Sequence, residues 1–140
     1  MNLVKSVDLR CAPDRAFSLF TEHAGQWWPD DRRHLKAELP TIIRIEPTGR
    51  FFERSSDGVE VDLGVARVFE PPRRLLIDWY PGTGPASPTR VEVRFEAIDT
   101  GTRVTVTHSP GRAAPEAFGR HAAGYARSWD LVLAALAAAD

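Results

Sequence analysis

The sequence predicts an α+β fold in which a curved antiparallel sheet of about seven strands packs against one long C-terminal helix. Three observations lead to this prediction. Residues 91–96 and 103–108 alternate between apolar and polar side chains, the period of a half-buried strand. An apolar stripe at helical spacing runs through residues 115–138. The remaining strand-like segments lie together between a short first helix and this last one, which is typical of α+β domains.

Residues 91–108 carry the strongest local signal, a β-hairpin. Asp99, Thr100 and Gly101 separate its two strands and form a turn in which glycine suits a positive φ. The alternation places one apolar face toward the interior and one charged face toward water, as in an antiparallel sheet with a single wet side. The side chains expected to point inward are Val91, Val93, Phe95, Val104, Val106 and His108.

Five further segments are predicted to be strands: residues 3–10, 41–46, 50–55, 59–63 and 75–79. Asp57 and Gly58 form the turn that joins the third of these to the fourth. Gly64 interrupts the fourth strand, where we expect a bulge that curves the sheet. Two consecutive prolines, Pro71 and Pro72, end that strand, because proline cannot donate to a ladder of hydrogen bonds. Residues 30–40 and 81–88 read as loops.

Two helices are predicted near the ends of the chain. Residues 13–21 begin with Pro13 and Asp14, which suit the first turn of a helix. Residues 115–138 form the longest helix, with a stripe at spacings of three and four that contains Phe118, Ala122, Tyr125, Trp129, Val132 and Leu136. Gly119 and Gly124 weaken this helix, so we expect another element to approach it closely there.

Composition excludes several classes of function. The chain has 140 residues, which suits a single domain spanning residues 1–140. Its 18 basic and 19 acidic residues give a formal net charge of −1, so no nucleic-acid partner is expected. Cys11 is the only cysteine, cannot form an internal disulfide and is expected to fill apolar space. No signal peptide or bilayer-spanning stretch is visible, so we expect a cytoplasmic protein without a membrane span.

No metal and no cofactor are expected. The four histidines are His23, His34, His108 and His121, and none of them shows the spacing of a metal-binding motif. No glycine-rich phosphate loop or dinucleotide fingerprint is present. The paired carboxylates of the strands lie on the side predicted to be wet, where they are solvated charges.

A series of short motifs resembles a known superfamily. In order, they are Trp27-Trp28-Pro29, Gly49-Arg50-Phe51, Asp57-Gly58, Gly64, Glu70-Pro71-Pro72-Arg73-Arg74-Leu75, Trp79, Gly101-Thr102-Arg103, His108 and Trp129. Their order is similar to that of the START-like, or SRPBCC, superfamily, and within it to the group named after the activator of the heat-shock protein 90 ATPase. The resemblance implies the helix-grip fold, with a cavity between sheet and C-terminal helix that holds lipids, polyketides, hormones and other apolar molecules.

The resemblance and the inward strand faces together give a set of candidate cavity residues. It comprises Trp28, Val61, Leu63, Ile77, Trp79, Val93, Phe95, Val106, His108, His121, Tyr125 and Trp129. For the aromatic members, plain core packing is the alternative. It is favoured for Trp129, whereas for Trp28 and Tyr125 the two interpretations weigh equally.

Two histidines are candidate catalytic residues. His108 continues the inward face of its strand and would come near Lys5 if the first and last strands pair in a suitable register. A structural histidine bonded to backbone or water is the favoured alternative. His121 lies at the edge of the helix stripe, where it faces either the cavity mouth or solvent.

Three functions follow, in order of preference. The first is a binding domain for an apolar or amphipathic small molecule, and the second is a cyclase- or hydrolase-like enzyme that uses a cavity histidine. The third is a chaperone-linked interaction module. It is disfavoured because the eukaryotic activator acts with an additional N-terminal domain for which this sequence has no room. The ligand and the oligomeric state are left open.

Overall fold

Seven antiparallel strands form one curled sheet, and a long helix crosses its concave face. The computed structural model describes residues 2–35, 40–81 and 84–140. The strands are β1 (Leu3–Leu9), β2 (Ile42–Ile45), β3 (Arg50–Arg54), β4 (Glu60–Glu70), β5 (Arg74–Trp79), β6 (Thr89–Ile98) and β7 (Gly101–Ser109). Their order in the sheet is β1-β7-β6-β5-β4-β3-β2.

The helices are α1 (Pro13–Thr21) and α2 (Pro115–Ala139), with two 3₁₀ turns, Ala24–Gln26 and Asp30–Arg32, between α1 and β2. The predicted α+β helix-grip architecture is therefore confirmed. Of the two predicted loops, residues 36–39 and 82–83 lie outside the described residues.

The hairpin of β6 and β7 has the predicted faces. Val93 lies opposite Val106 and Phe95 opposite Val104, and all four side chains are buried. On the other face, the guanidinium of Arg94 reaches the carboxylate of Glu92 at 3.0 Å. The alternation of the sequence therefore separates a dry concave face from a wet convex one.

A β-bulge curves the sheet at Gly64, as expected. Phe51 pairs with Gly64 and Phe52 with Asp62, which leaves Leu63 as the extra residue of β4. A Cβ atom at Gly64 would overlap the carbonyl oxygen of Asp78 on β5, so only glycine fits this close approach. β4 continues beyond the bulge to Glu70 and ends just before Pro71 and Pro72, as expected.

The convex face carries one fully buried aromatic ring. Phe52 is 1% exposed although its side chain points away from the core. The guanidinium carbons of Arg50 and Arg54 lie 4.2 and 4.9 Å from its ring centroid. Both arginines also bind Glu60, at 2.9 and 2.5 Å, which holds them over the ring. The cover is thus a pair of cations fixed by one carboxylate.

Helix α1 fills one end of the concave face. Phe17 and Phe20 place their rings 5.1 and 5.9 Å from that of Phe95 on β6, edge to face. The C-terminal half of α2 fills the neighbouring part with Val132, Leu133 and Leu136, which are all buried. Beneath the N-terminal half of α2, these packed side chains do not cover the sheet.

The glycines of α2 are not explained by a close neighbour. A Cβ atom at Gly119 or Gly124 would meet nothing within 4 Å outside the helix itself. The expectation of a close approach at these positions is therefore wrong. Between residues 115 and 128, Phe118 is the one fully buried side chain of α2, because this half of the helix spans a cavity rather than a packed core.

Candidate ligand cavity

A cavity of about 620 Å³ lies between the concave face of the sheet and α2. Trp28, in the segment between the two 3₁₀ turns, closes one end. The sheet contributes one side chain or more from each of β2 to β6, and α2 contributes the opposite wall. The main lining residues are Trp28, Ile43, Phe51, Glu53, Leu63, Trp79, Tyr80, Thr89, Phe118, Tyr125, Trp129 and Val132. This volume is within the usual range for small-molecule sites.

Aromatic rings form most of the apolar wall. The ring centroid of Trp79 lies 6.4 Å from that of Trp28, 5.2 Å from Phe51 and 5.1 Å from Trp129. In these three pairs the ring planes are inclined to each other by 36°, 37° and 40°, so the rings form a continuous curved surface. Such a surface suits contact with a flat or elongated apolar molecule.

The mouth of the cavity is defined by its exposed lining residues. They come from three segments: Asp31 and His34 before β2, Ser87 before β6, and Ala114 and His121 at the start of α2. All five are polar or small. A ligand would therefore enter between these segments, with its apolar part toward Trp79 and its polar part toward the rim.

Glu53 is a fully buried carboxylate in the cavity wall. Its side chain is 0% exposed and accepts hydrogen bonds from the backbone N–H of His34 at 2.8 Å and from the Thr41 hydroxyl at 2.7 Å. A third N–H, from Leu35, lies at 3.4 Å. Because a buried charge needs such donors, Glu53 ties the segment before β2 to the sheet.

Arg33 holds the same segment from its other side. Its guanidinium donates to the carbonyl oxygens of Gly25 and Trp28, both at 2.8 Å, and to the carbonyl and hydroxyl oxygens of Thr41 at 3.1 and 2.9 Å. Asp30 lies 3.5 Å from its Nε. The terminal nitrogens are thus fully occupied in shaping the cavity rim.

His108 lies behind the cavity wall in a closed network of hydrogen bonds. The indole N–H of Trp129 donates to its Nδ1 at 3.1 Å. Since an indole nitrogen can only donate, the ring proton of His108 is on Nε2, which donates to Thr89 Oγ1 at 2.7 Å. Thr89 in turn donates to the carbonyl oxygen of Trp79 at 3.2 Å. Both ring nitrogens are therefore occupied within the protein.

Burial sets the charge state of His108. The side chain is 0% exposed and packs against the rings of Tyr125 and Phe118, at centroid distances of 4.5 and 5.3 Å. Desolvation lowers its pKa to about 4, so the imidazole is neutral near pH 7. Desolvation also raises the pKa of the Tyr125 phenol. The neutral imidazole makes two hydrogen bonds that position Trp129 and Thr89, both of which line the cavity.

The candidate residues divide between the cavity and the packed core. Those that line the cavity are Trp28, Leu63, Trp79, His121, Tyr125 and Trp129. Those that lie outside its lining are Val61, Ile77, Val93, Phe95, Val106 and His108. The second group lies mainly where α1 and the C-terminal half of α2 cover the sheet, so its side chains contact protein. His121 is exposed at the mouth.

Lys5 does not lie opposite His108. In the antiparallel pairing of β1 with β7, Leu3 is opposite His108 and Lys5 is opposite Val106. The Lys5 ammonium instead reaches the carboxylate of Asp130 on α2 at 3.0 Å. This ion pair helps to fasten the helix across the edge of the sheet.

Cys11 is unsuited to act as a nucleophile. Desolvation, followed by the nearby carboxylate of Asp140, raises the pKa of its thiol to about 11. The thiol is therefore protonated near neutral pH, and it packs against the edge of the core.

Glu53, Thr89 and Arg33 are among the polar wall residues that the sequence reasoning missed. Thr89 could have been found, because it lies two positions before Val91, which was assigned to the inward face. Glu53 lies on a predicted strand to which no face had been assigned. Arg33 offers no such signal, because it belongs to an irregular segment without a period.

The described residues contain no group of three or more His, Cys, Asp or Glu side chains placed to hold a metal ion. Within the same part of the chain, neither helix meets the length and hydropathy that a membrane crossing requires.

Comparison with known proteins gives a family and a set of shared folds. The model of a family described as Activator of Hsp90 ATPase homolog 1-like protein matches residues 10–139. No curated protein matches the sequence.

Three solved structures illustrate the fold. A protein from Rhodobacter sphaeroides is 20% identical, with a TM-score of 0.69 over 98% of this chain and 89% of that one. The Aha1 dimer from Colwellia psychrerythraea is 17% identical, with a TM-score of 0.61 over 98% and 93%. An anthrahydroquino-γ-pyrone synthase is 24% identical, with a TM-score of 0.59 over 97% and 94%. At these identities the likeness shows a common fold.

Proposed function

The chain belongs to the Activator of Hsp90 ATPase homolog 1-like family, and we propose that it binds an apolar or amphipathic small molecule between the sheet and α2. The observation that carries the proposal is the aromatic cavity of about 620 Å³. Protein interiors are normally packed without voids of this size. Contacts among the wall rings and the hydrogen bond from Trp129 to His108 support the proposal, because they fix the side chains that surround the space.

The arrangement of polar groups supports an amphipathic occupant. The interior of the cavity presents mainly indole and phenyl surfaces, whereas its charged lining residues lie in or beside the segment before β2. An apolar body would gain free energy by leaving water, at roughly 25 cal/mol per Å² of buried surface. A polar group at the rim would keep its hydrogen bonds. The anthrahydroquino-γ-pyrone synthase of the same fold is a reason to include aromatic polyketides among the ligands tried.

A thermal-shift series tests the proposal. Fatty acids, aromatic polyketides and steroids are added to the wild-type protein and to two variants of α2, Ala117→Trp and Ala123→Trp. Ala117 lines the cavity, whereas Ala123 is exposed outside it. A ligand at a hundred times its dissociation constant should stabilise the wild type by about 2.7 kcal/mol, seen as a rise in Tm.

The two variants separate cavity binding from adsorption to the surface. The stabilisation should disappear in Ala117→Trp, which fills the space, and persist in Ala123→Trp. Equal stabilisation of both variants would place the ligand elsewhere. If no compound of the three classes stabilises the wild type, the proposal is wrong.

A second candidate is an enzyme of the cyclase or hydrolase type. It is favoured by the position of His121, whose ring lies at the mouth 6.2 Å from that of Tyr125. An exposed imidazole there could exchange protons with a bound molecule. Turnover of a cyclisation or ester substrate that is unaffected by His121→Ala would eliminate this mechanism.

A further inference from the structure

Two adjacent arginines, Arg32 and Arg33, line the cavity rim, and they differ in how many hydrogen bonds they make to the protein. The terminal nitrogens of Arg33 make four hydrogen bonds to three residues, as described above. Arg32 has the same five N–H donors. Its Nη1 lies 3.4 Å from the carbonyl oxygen of Asp31 and 3.7 Å from the carboxylate of the same residue. Within the part of the chain that the structure describes, Arg32 makes no other hydrogen bond or ion pair than these two long contacts.

The guanidinium of Arg32 is partly desolvated, and its two long contacts with Asp31 compensate for this only weakly. Its side chain is only 34% exposed, and its Nε is buried without a hydrogen-bond partner. Buried donors on charged groups are normally paired, since an unpaired one is destabilising. The Nε of Arg33 is also without a hydrogen bond, but it has the carboxylate of Asp30 at 3.5 Å. Arg32 therefore retains unused donor capacity at a cavity where a ligand would supply acceptors.

We propose that Arg32 binds a carboxylate of the cavity ligand, which makes that ligand an amphipathic carboxylic acid. The inference rests on the proposed function. A planar guanidinium matches a carboxylate with two parallel N–H···O bonds, an interaction that a neutral group cannot reproduce.

The negative charges of the rim do not oppose this arrangement. Asp31 is 69% exposed, so its carboxylate is solvated and its ion pair with Arg32 is weak. Glu53 on β3 already accepts hydrogen bonds from three donors of the segment before β2. Arg33 adds a second positive charge beside Arg32. A ligand carboxylate would displace water from Arg32 and leave these contacts in place.

The test compares two ligands of nearly identical shape, 1-pyrenebutyrate and 1-pyrenebutyramide. Both carry the same flat apolar body, and only the first is charged at neutral pH. Binding is followed by energy transfer from the cavity tryptophans to pyrene. The proteins are wild type, Arg32→Gln and, as a matched control, Arg90→Gln. Arg90 is exposed on the outer face of β6 and does not line the cavity.

The wild type should bind the acid roughly tenfold or more tightly than the amide, the range expected for a charge-assisted hydrogen bond. Arg32→Gln should bind both equally, and Arg90→Gln should keep the preference. Added salt should weaken binding of the acid and leave that of the amide unchanged.

The failures are distinguishable. If the amide binds the wild type as tightly as the acid, or if Arg32→Gln keeps the preference, the cavity still binds ligands and the role of Arg32 is wrong. If neither compound binds, while far-UV circular dichroism shows a folded protein, the proposed cavity function fails for flat amphiphiles and the inference falls with it.

Discussion

Acidification is expected to destabilise the folded state through His108. In the folded protein its pKa is about 4, whereas an unfolded histidine has a pKa near 6.5. Above pH 6.5 neither state binds the proton. Between pH 6.5 and 4 the unfolded state binds it and the folded state does not, so the free energy of unfolding falls. Below pH 4 both states are protonated and the loss is complete.

The magnitude follows from the difference between the two pKa values. At 1.36 kcal/mol per pKa unit, this residue lowers the free energy of unfolding by about 3 kcal/mol over the whole window. The steepest contribution is about 1.4 kcal/mol per pH unit, between pH 6 and 5. The total loss of about 3 kcal/mol is a large fraction of the free energy of unfolding of a typical small domain, which is about 5–15 kcal/mol.

Urea denaturation at pH 7, 6 and 5 measures the effect. His108→Gln keeps a polar side chain at the site but cannot titrate. It should be less stable than wild type at pH 7, because it disturbs the bonds to Thr89 and Trp129, and the gap should narrow at pH 5. NMR titration of the His108 ring protons reports the folded pKa directly. A ring that titrates near pH 6.5, or a gap that does not change with pH, would refute the reasoning.

Two further predictions concern packing. Trp129→Phe removes the donor to His108 Nδ1 and should lower the free energy of unfolding by about 1–3 kcal/mol from the unpaired acceptor alone, measured by the same denaturation. In a paired comparison, Gly64→Ala should destabilise by about 1–3 kcal/mol because its Cβ would press on the backbone of β5. Gly119→Ala has open space and should stabilise by up to about 1 kcal/mol. Thermal or chemical unfolding that ranks the two alanine variants in the opposite order would contradict this account.

The fold could be predicted where local pattern and tertiary environment agree. Within β6 and β7 the alternating side chains assigned to the inward face are all buried, from Val91 to Phe95 and from Val104 to His108, so the period of two reports the faces directly. The bulge at Gly64 was visible for a similar reason, since glycine within a strand pattern marks a place where backbones approach. Neither inference needed knowledge of distant contacts.

The cavity could be predicted only in part, because its outline depends on what the helices leave uncovered. Ile77 and Trp79 lie on one face of β5, yet only Trp79 lines the cavity. A strand pattern cannot show how far along the sheet a helix extends. The expectation of a close neighbour at Gly119 was wrong because this glycine is exposed, and a Cβ atom there would meet open space.

The rim residues were beyond prediction for a different reason. Arg32 and Arg33 are adjacent and chemically identical, and nothing in the sequence distinguishes them. The distinction arises from the carbonyl oxygens of Gly25 and Trp28, which converge on Arg33 only after the chain has folded back toward β2.

The cations that flank Phe52 have a consequence for how the molecule behaves in crowded solution. An uncovered benzyl group on the outer face of β3 would add apolar surface to which a second molecule could bind. With Arg50 and Arg54 laid across the ring, an approaching neighbour meets positive charge instead. The residues that bury this phenylalanine therefore also replace its apolar surface with a charged one.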